Sequence, residues 1–376
     1  MKRISLIIIG LLLIFFCYSL SEAQKTKTVE GVQVISNGKK PNPQEGQSAQ
    51  RKLAEEVTIG KGDNPDESVS EVGAMIVDEN GNIYALDSKD RRVKVFDKTG
   101  KFLRFIGKPG QGPGELGIPT GIQFTLDHNL LIEDATNRRL AFFKPSGEFI
   151  KNISTADKLG LVNILLDAQG NFLAREMSLD GKKAFFEIKK YDQNLKPLFT
   201  LDKMEFPIPL PGSSTKMKIM EMISIYQVDG KGNIFYGRST AYEIKVFNPE
   251  GKHIRTIEKE YDPIKISQED IDEMLQRMSS AGTGVNFKDM VEFPKNFPPF
   301  QYFILDDEGR IYVRTWKKGE GKGEYEFDVF DAEGRFIAQF TTTADLRLWQ
   351  NGKAYGVEET EDGFRVIKRY TLENVT

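Results

Sequence analysis

A phrase of about twenty residues recurs along the chain and constrains the fold more than any other feature. Residues 83–102 read IYALDSKDRRVKVFDKTGKF, residues 130–149 read LLIEDATNRRLAFFKPSGEF, and residues 234–253 read IFYGRSTAYEIKVFNPEGKH. Looser copies begin near Phe172 and Ile311, and the weakest begins near Ala354. The sequence therefore predicts about six copies of one structural unit.

Each copy is predicted to contain four short strands. In the first copy, residues 82–87 and 93–97 are rich in β-branched and aromatic side chains, and 102–106 form a further apolar segment. Turns of the type Asp-x-x-Gly, at 78–81 and 97–100, join the first pair and the last pair of strands. Four antiparallel strands repeated six times are typical of the blades of a β-propeller, and a solenoid of the same units is the alternative.

The chain also contains a fourth strand that has no blade before it. Residues 57–77 have the same pattern as residues 104–124, which include the last strand of the first copy. The C-terminal copy lacks its own fourth strand, so we expect residues from Glu56 to Gly60 to complete the last blade and close the ring. The propeller is thus predicted over 53–376, and residues 24–52 are expected to form an extended arm or linker.

The segment DENGNIYALDSKDRRVKVFDKTGKF, preceded by TIGKGDNPDESVSEVGAMIV and followed by IGKPGQGPGELGIPTGI, resembles the NHL repeat of six-bladed propellers. The resemblance covers most of residues 53–373, closely in the first two copies and thinly in the third and sixth. It implies an all-β, six-bladed propeller of four-stranded antiparallel blades. It does not imply a single activity, because NHL-like propellers include ligand-binding scaffolds, sensor domains and a few enzymes.

Residues 1–23 have the pattern of a cleaved secretory signal peptide. Lys2 and Arg3 precede an apolar run over 4–16, and small side chains stand at the positions that a signal peptidase reads, with cleavage expected after Ala23. A transmembrane anchor would need about 20 apolar residues, which is more than this run provides. We therefore predict a secreted or periplasmic protein without stable membrane insertion after cleavage.

Cysteine content and charge limit the chemistry of the mature chain. Its one cysteine, Cys17, lies within the predicted signal, and Phe16 stands where lipoprotein processing requires a small residue. The mature protein is thus predicted to be neither lipidated nor disulfide-bonded. The formal net charge of −3, of mixed sign, argues against nucleic acid as a partner.

Strand order predicts which loops share one end of the propeller. We call top face the end that carries the connections between second and third strands and between blades. Two long connections are expected there, at about 204–222 and 260–300. The second contains a predicted helical insertion between blades four and five, which begins with a capping box at Ser267 and has an apolar stripe. The stripe is expected to pack against the propeller, with partner binding as the alternative.

Candidate ligand-binding residues were sought on this face. Arg175, Arg238 and Arg314 occupy nearly matching places in three copies, and could converge beside the central opening to bind an anion. Aromatic side chains in the long connections suit a ligand or peptide site, or a lid that only covers the core. These aromatic candidates are Trp316, Phe206, Phe293 and Phe297.

Several charged residues are predicted to pair across hairpins rather than to act in catalysis. An acid that ends the second strand and an arginine that opens the third can face one another across the two strands. In one copy the two charges have exchanged places. The predicted pairs are Asp87 with Arg92, Asp134 with Arg139, Arg238 with Glu243, and, less regularly, Arg175 with Glu187 and Arg314 with Glu326.

Standard catalytic and cofactor motifs are not found. The two histidines, His128 and His253, fall in a predicted turn and an outer strand, which does not favour a zinc site or a Ser-His-Asp triad. Asn163 could serve a calcium site of the lactonase type, but no acidic partners can be assigned to it. No cofactor is identified. The sequence predicts a binding or scaffold module for a protein, peptide or small molecule, and a metal-assisted hydrolase or lyase is the alternative.

Overall fold

Six blades of four antiparallel strands each form an all-β propeller, as the repeats predict. The computed structural model describes residues 24–61, 64, 66–181, 183–207, 215–238, 240–280 and 287–375, and the statements below concern these residues. The predicted signal peptide and part of the first long connection lie outside them.

Strands are numbered in chain order. Those of the N-terminal segment and of the first three blades are β1 (Lys25–Val29), β2 (Val32–Asn37), β3 (Arg51–Ile59), β4 (Val72–Val77), β5 (Ile83–Asp87), β6 (Arg92–Phe96), β7 (Phe102–Ile106), β8 (Lys108–Pro109), β9 (Glu115–Leu116), β10 (Pro119–Phe124), β11 (Leu130–Asp134), β12 (Arg139–Phe143), β13 (Phe149–Ser154), β14 (Val162–Leu166), β15 (Phe172–Asp180), β16 (Lys183–Tyr191) and β17 (Pro197–Phe206).

The remaining elements belong to blades four to six. They are β18 (Ser224–Val228), β19 (Ile234–Arg238), β20 (Glu243–Phe247), β21 (His253–Lys259), the helix α1 (Gln268–Ser280), a 3-10 turn (Phe287–Asp289), β22 (Tyr302–Leu305), β23 (Ile311–Lys318), β24 (Tyr325–Phe330), β25 (Phe336–Thr342), β26 (Asp345–Gln350), β27 (Lys353–Glu359) and β28 (Arg365–Asn374).

Each blade reads outward in chain order from its innermost strand. Blades one to five are β4–β7, β10–β13, β14–β17, β18–β21 and β22–β25, and blade six is β26–β28 with β3. The short strands β8 and β9 form a small parallel ladder between blades one and two. The long hairpin of β15 and β16 extends blade three beyond the five-residue strands of blades one and two.

The predicted Asp-x-x-Gly turns depend on one recurring side-chain arrangement. The Asp78 carboxylate accepts hydrogen bonds from the backbone N–H groups of Asn80 (2.9 Å) and Asn82 (2.8 Å). Gly81 has φ 81°, a left-handed conformation that favours glycine. The same bonds recur in blades three, four and five, so the turns of these blades share one geometry at the end of the propeller opposite the top face.

The core lies between neighbouring blades, where apolar side chains from alternate strand positions interlock. Between blades one and two, Leu86 and Ile106 are buried with Ile122 and Ile132. Similar buried clusters join the later blades. Because every blade packs on the next in this way, the positions around the central axis are fixed by the rigid sheet framework.

Ring closure by the N-terminal strand is confirmed. Strand β3 pairs antiparallel with β28, from Arg51 opposite Asn374 to Ile59 opposite Ile367. The strand is longer than the predicted segment and begins at Arg51. Closure therefore joins the two ends of the chain through one continuous ladder, which leaves blade six with its full four strands.

Residues 24–52 are extended, but they are not a free linker. Strands β1 and β2 form a hairpin, and β2 pairs in parallel with β21 at the outer edge of blade four. The chain then reaches blade five, where the backbone N–H of Asn42 donates to Phe336 O (2.8 Å) and that of Gln339 donates to Ala49 O (2.8 Å). Backbone groups of two outer strands are thereby satisfied by the arm, a pairing that local sequence patterns do not reveal.

The helical insertion lies between blades four and five, as predicted. Helix α1 begins after Ser267, whose hydroxyl accepts a hydrogen bond from the Asp270 N–H (3.1 Å) while the Asp270 carboxylate accepts from the Ser267 N–H (2.9 Å). Its apolar stripe is half-buried, and Lys318 of β23 forms an ion pair with Asp270 (3.2 Å). Among the described helices, none is long and apolar enough to cross a bilayer.

Candidate functional site

A cavity of about 520 Å³ opens between the innermost strands of blades one to four. Its walls come from β4, β10, β14 and β18, with contributions from β11 and β15. Apolar side chains, including Ile122, Leu165 and Ile225, form much of the lining. Two ionisable side chains of opposite sign, Glu133 and Arg175, line the same space. The cavity thus combines an apolar surface with a few polar groups, which is typical of small-molecule sites.

Glu133 is a buried acid that the described residues leave without a cationic partner. It lies on β11, and only 4% of its surface is exposed. One carboxylate oxygen accepts a hydrogen bond from the Thr120 hydroxyl (2.7 Å), and the other accepts from the Ile164 N–H (3.1 Å). Burial raises the pKa of Glu133 above its ordinary value, although these hydrogen bonds oppose the shift.

Arg175 is a cation that the described residues leave without an acidic partner. It lies on β15, where its guanidinium donates to the Ser224 hydroxyl (3.0 Å) and to the carbonyl oxygen of the same residue. The guanidinium carbon stands 5.9 Å from the centre of the Phe186 ring. The Arg175 Nε is buried without a hydrogen-bond partner. One N–H donor of this side chain therefore lacks a partner among the described residues.

The other polar groups of the cavity are occupied in joining blades. The Tyr226 hydroxyl donates to the Asn163 carbonyl oxygen (2.6 Å), and burial raises the pKa of Tyr226 above its ordinary value. The Gln123 side chain accepts from the Leu166 N–H (2.8 Å), and Gln227 donates to Phe303 O (3.4 Å). These groups stabilise the ring. Among the described residues, Glu133 and Arg175 are thus the charged groups of the cavity that lack a partner of opposite charge.

A second cavity, of about 760 Å³, lies between blades four and five beneath the N-terminal arm. It is larger, but four of its charged groups form two ion pairs with one another. Lys259 forms an ion pair with Asp328 (3.2 Å), and Lys317 forms one with Glu326 (2.8 Å). These pairs need no ligand to compensate them. The cavity of about 520 Å³, which we call the channel cavity, is therefore the stronger candidate site.

The three predicted arginines are not brought together. Arg175 and Arg314 are each the third residue after the first residue of their strand, whereas Arg238 is the fourth after Ile234. Side chains alternate between the two faces of a strand, so Arg238 points the other way and pairs with Asp202 of blade three. Arg314 pairs with Asp345 of blade six (3.3 Å). Of the three, only Arg175 lines the channel cavity.

The predicted aromatic residues form two separate groups. Phe206 ends β17 and stacks on Phe186 with ring centres 4.2 Å apart, beside Arg175. Phe297 stacks on Trp316 of β23 with ring centres 4.3 Å apart. Phe293 is half-buried in the connection that precedes blade five. Blade three and blade five thus hold one group each, and neither group lines the channel cavity.

Among the predicted charged pairs, that of Asp134 with Arg139 is confirmed at 3.0 Å. In blade one, Asp87 instead pairs with Lys94 (3.3 Å), and Arg92 lies over the Phe105 ring at 4.6 Å. The predicted pair of Asp87 with Arg92 is wrong because the buried Lys94, two positions further along the third strand, reaches the acid. The remaining three pairs are replaced by others: Arg238 with Asp202, Lys245 with Glu243, Lys189 with Glu187, Arg314 with Asp345, and Lys317 with Glu326.

Sequence reasoning did not identify Glu133. A signal is present, because this acid follows Leu130, Leu131 and Ile132 in a strand whose residues are all buried. In blade one the same position holds the buried apolar residue Leu86. A charge in place of an apolar residue at a repeated core position indicates a special environment.

Comparisons with solved structures find the same fold. A candidate exported protein from Bacteroides fragilis matches with a TM-score of 0.58 and 14% identity, over 91% of this chain and 100% of that one. A member of the duf4221 family from Bacteroides vulgatus matches with a TM-score of 0.54 and 12% identity, over 88% of this chain and 100% of that one. At these identities the likeness shows the fold alone.

A search of the curated proteins gave no match. The profile of one protein family, described as 6-bladed beta-propeller, matches residues 66–297, which is more than half of the chain. This match agrees with the six blades that the structure contains. The chain therefore belongs to the six-bladed β-propeller family DUF5128.

Proposed function

We propose that this protein is a binding module that holds a small polar ligand in its central channel. The observation that carries the proposal is the pair of opposite charges, Glu133 and Arg175, in the wall of one cavity of about 520 Å³. Cavities of roughly 300–1,000 Å³ with apolar walls and a few placed polar groups are typical of small-molecule sites.

The electrostatic cost of these residues supports the proposal. A buried ionisable group without a partner destabilises a folded protein, so such groups are uncommon in a core that has only a structural role. Glu133 is buried, and among the described residues its hydrogen bonds come from Thr120 and the backbone of blade three. A ligand that compensates the charges of Glu133 and Arg175 explains why the fold retains them.

A variant that fills the cavity tests the proposal. Ala74 is half-buried in the cavity wall, and Ala74→Phe would occupy the space without changing a charge. The exposed Ala156, changed to Phe, is the matched control. A library of small polar compounds would be screened by ligand-observed NMR against the three proteins. We expect compounds that bind the wild type and Ala156→Phe but not Ala74→Phe, whereas hits that persist in Ala74→Phe would contradict the proposal.

The alternative function, a metal-assisted hydrolase or lyase, requires side chains that can bind a cation. Within the described part of the chain, no group of three or more His, Cys, Asp or Glu side chains is placed to hold a metal. Metal analysis of the purified protein, with thermal melts with and without a chelator, distinguishes the two functions. A stoichiometric cation whose removal lowers the melting temperature strongly would favour the enzyme.

We also propose that the protein is exported and that its repeats are of the NHL type. The pattern of residues 1–23 supports export, and the Asp-x-x-Gly turns with their strand spacing support the repeat type. Cell fractionation and N-terminal sequencing of the mature protein test the first point. A mature chain that begins at Gln24 is expected, and an intact N-terminus in the cytoplasmic fraction would contradict export.

A further inference from the structure

We propose that the channel ligand is a small zwitterion, an α-amino acid with an apolar side chain, whose ammonium group faces Glu133 and whose carboxylate faces Arg175. The inference rests on the proposed function and narrows it to one chemical class. The inference depends on the two opposite charges in the cavity wall, because a ligand that complements both must carry a positive and a negative group.

Glu133 favours a positively charged group of the ligand. Both of its oxygens accept hydrogen bonds, from Thr120 and from the backbone of Ile164, and among the described residues no lysine or arginine forms an ion pair with it. An ammonium group is a donor of compact positive charge, and it would supply the compensation that the surrounding neutral donors do not give.

Arg175 favours a negatively charged group of the ligand. Among the described residues its guanidinium donates to the neutral Ser224, and its Nε has no hydrogen-bond partner. Guanidinium groups present several N–H donors in one plane and match the two oxygens of a carboxylate. A carboxylate is therefore the anion whose shape best fits this side chain.

The two charges do not compensate each other, although they belong to adjacent blades. Glu133 lies on β11 and Arg175 on β15, and no ion pair joins them. Tyr226, on the innermost strand of blade four, interacts electrostatically with both. A molecule that carries an ammonium group and a carboxylate on the same carbon atom would offer a partner to each of these two cavity-lining side chains, whereas a simple anion or amine would compensate only one of them.

The rest of the lining determines the kind of side chain. Ala74, Ile122, Leu165, Met222 and Ile225 face the cavity and offer no charge. An apolar side chain buried against them is favoured, because its apolar surface is removed from water. The amides of Gln123 and Gln227 are engaged with neighbouring blades, so a polar ligand side chain would find few free partners.

Titration calorimetry with three matched compounds tests the inference. L-leucine has both charges, isocaproate lacks the ammonium group, and isoamylamine lacks the carboxylate. We expect wild-type protein to bind L-leucine. Its affinity for each truncated compound should be at least roughly tenfold lower. Isocaproate binding as tight as that of L-leucine would overturn the inference, because the cavity would then select only a carboxylate.

Four variants assign the contacts. Glu133→Gln should weaken L-leucine but not isocaproate, and Arg175→Met should weaken L-leucine but not isoamylamine. Glu358→Gln and Arg104→Met are the controls, since Glu358 bonds Tyr370 and Lys368 and Arg104 bonds a carbonyl oxygen of blade two, all outside the cavity. Equal losses in the site variants and the controls would overturn the assignment. The comparison of the three compounds on wild-type protein does not depend on how any variant folds.

The outcomes also separate this inference from the function on which it rests. If L-leucine and L-phenylalanine do not bind while other compounds lose binding in Ala74→Phe, the zwitterion inference is wrong and the binding function stands. If no compound binds the wild-type channel, both are wrong.

Discussion

Glu133 and Arg175 occupy the same position in blades two and three, and each contacts the innermost strand of the blade that follows. Both are the third residue after the start of their strand, at Leu130 and Phe172. Glu133 accepts from the backbone of blade three, and Arg175 donates to Ser224 of blade four. One repeat position thus places an acid and a cation in the wall of the same cavity, from two adjacent blades.

A matched pair of arginines tests how much the contacts of one repeat position matter. Arg139 pairs with Asp134 at 3.0 Å and donates to carbonyl oxygens of Gln111 and Glu115. Arg92 opens the equivalent strand of blade one but has mainly a ring contact. We expect Arg139→Ala to lower the free energy of unfolding by about 2–4 kcal/mol, and Arg92→Ala by about 1 kcal/mol or less. Urea denaturation measures both, and equal losses would mean that the buried pair contributes nothing specific.

Glu56 lies on the closing strand β3 and links it to the other strands of blade six. The ionisation of Glu56 should therefore affect the stability of the protein in acid. Burial opposes ionisation, but hydrogen bonds from Lys353, Thr371 and Arg369 lower the pKa of Glu56 to about 2. The stabilisation is then complete above the ordinary pKa of 4.5 and is lost as the pH falls towards 2. We expect Glu56→Gln to lower the free energy of unfolding by about 1 kcal/mol at neutral pH.

The difference between wild type and Glu56→Gln should shrink as the pH falls from 4.5 towards 2, because the wild type then loses the same charge. The exposed Glu45, changed to Gln, is the control and should follow the wild type. A difference that does not depend on pH would show that the Glu56 charge does not stabilise the closure.

Asn37 joins the N-terminal arm to two blades. It is 4% exposed, and its amide donates to carbonyl oxygens of Glu258 (3.0 Å) and Gly334 (3.0 Å) while its oxygen accepts from the Phe336 N–H (2.9 Å). Asn37→Ala leaves these backbone groups unsatisfied and should cost about 3 kcal/mol. Ser36→Ala is the control, since Ser36 has a single side-chain hydrogen bond, to Glu258. Thermal melts should separate the two variants, and a free arm would make them equal.

The fold was predictable because its determinants are local and repeated. Strand composition, the Asp-x-x-Gly turns and the unpaired strand at Glu56 each follow from the residues within one repeat, and ring closure follows from counting strands. The pairing of β2 with β21 was not predictable, because it joins Val34 to Thr256 across a long stretch of chain. Nothing in the local pattern of β2 indicates which blade edge it extends.

The site was less predictable because it depends on strand phase. A shift of one residue separates Arg238 from Arg175, and it sends the two side chains to opposite faces of their sheets. An alignment of repeats that tolerates such a shift places both on one face. The sequence pattern favoured Asp134 over its neighbour Glu133, because Asp134 is the expected partner of Arg139.

Glu133 should lower the stability of the free protein, as residues kept for binding often do. Burial raises the pKa of Glu133, and the hydrogen bonds from Thr120 and Ile164 oppose this shift without reversing it. Below the ordinary pKa of 4.5 the carboxyl is neutral in both folded and unfolded chains, so its charge has no cost. As the pH rises through the raised pKa, the folded protein must bury the charge and stability falls. Glu133→Gln cannot titrate, so its free energy of unfolding should exceed that of the wild type by an amount that grows as the pH rises above the ordinary pKa of 4.5. Urea denaturation of both proteins without ligand measures this difference, and a wild type that is more stable than Glu133→Gln at the higher pH would show that Glu133 is a structural residue whose charge the fold already compensates.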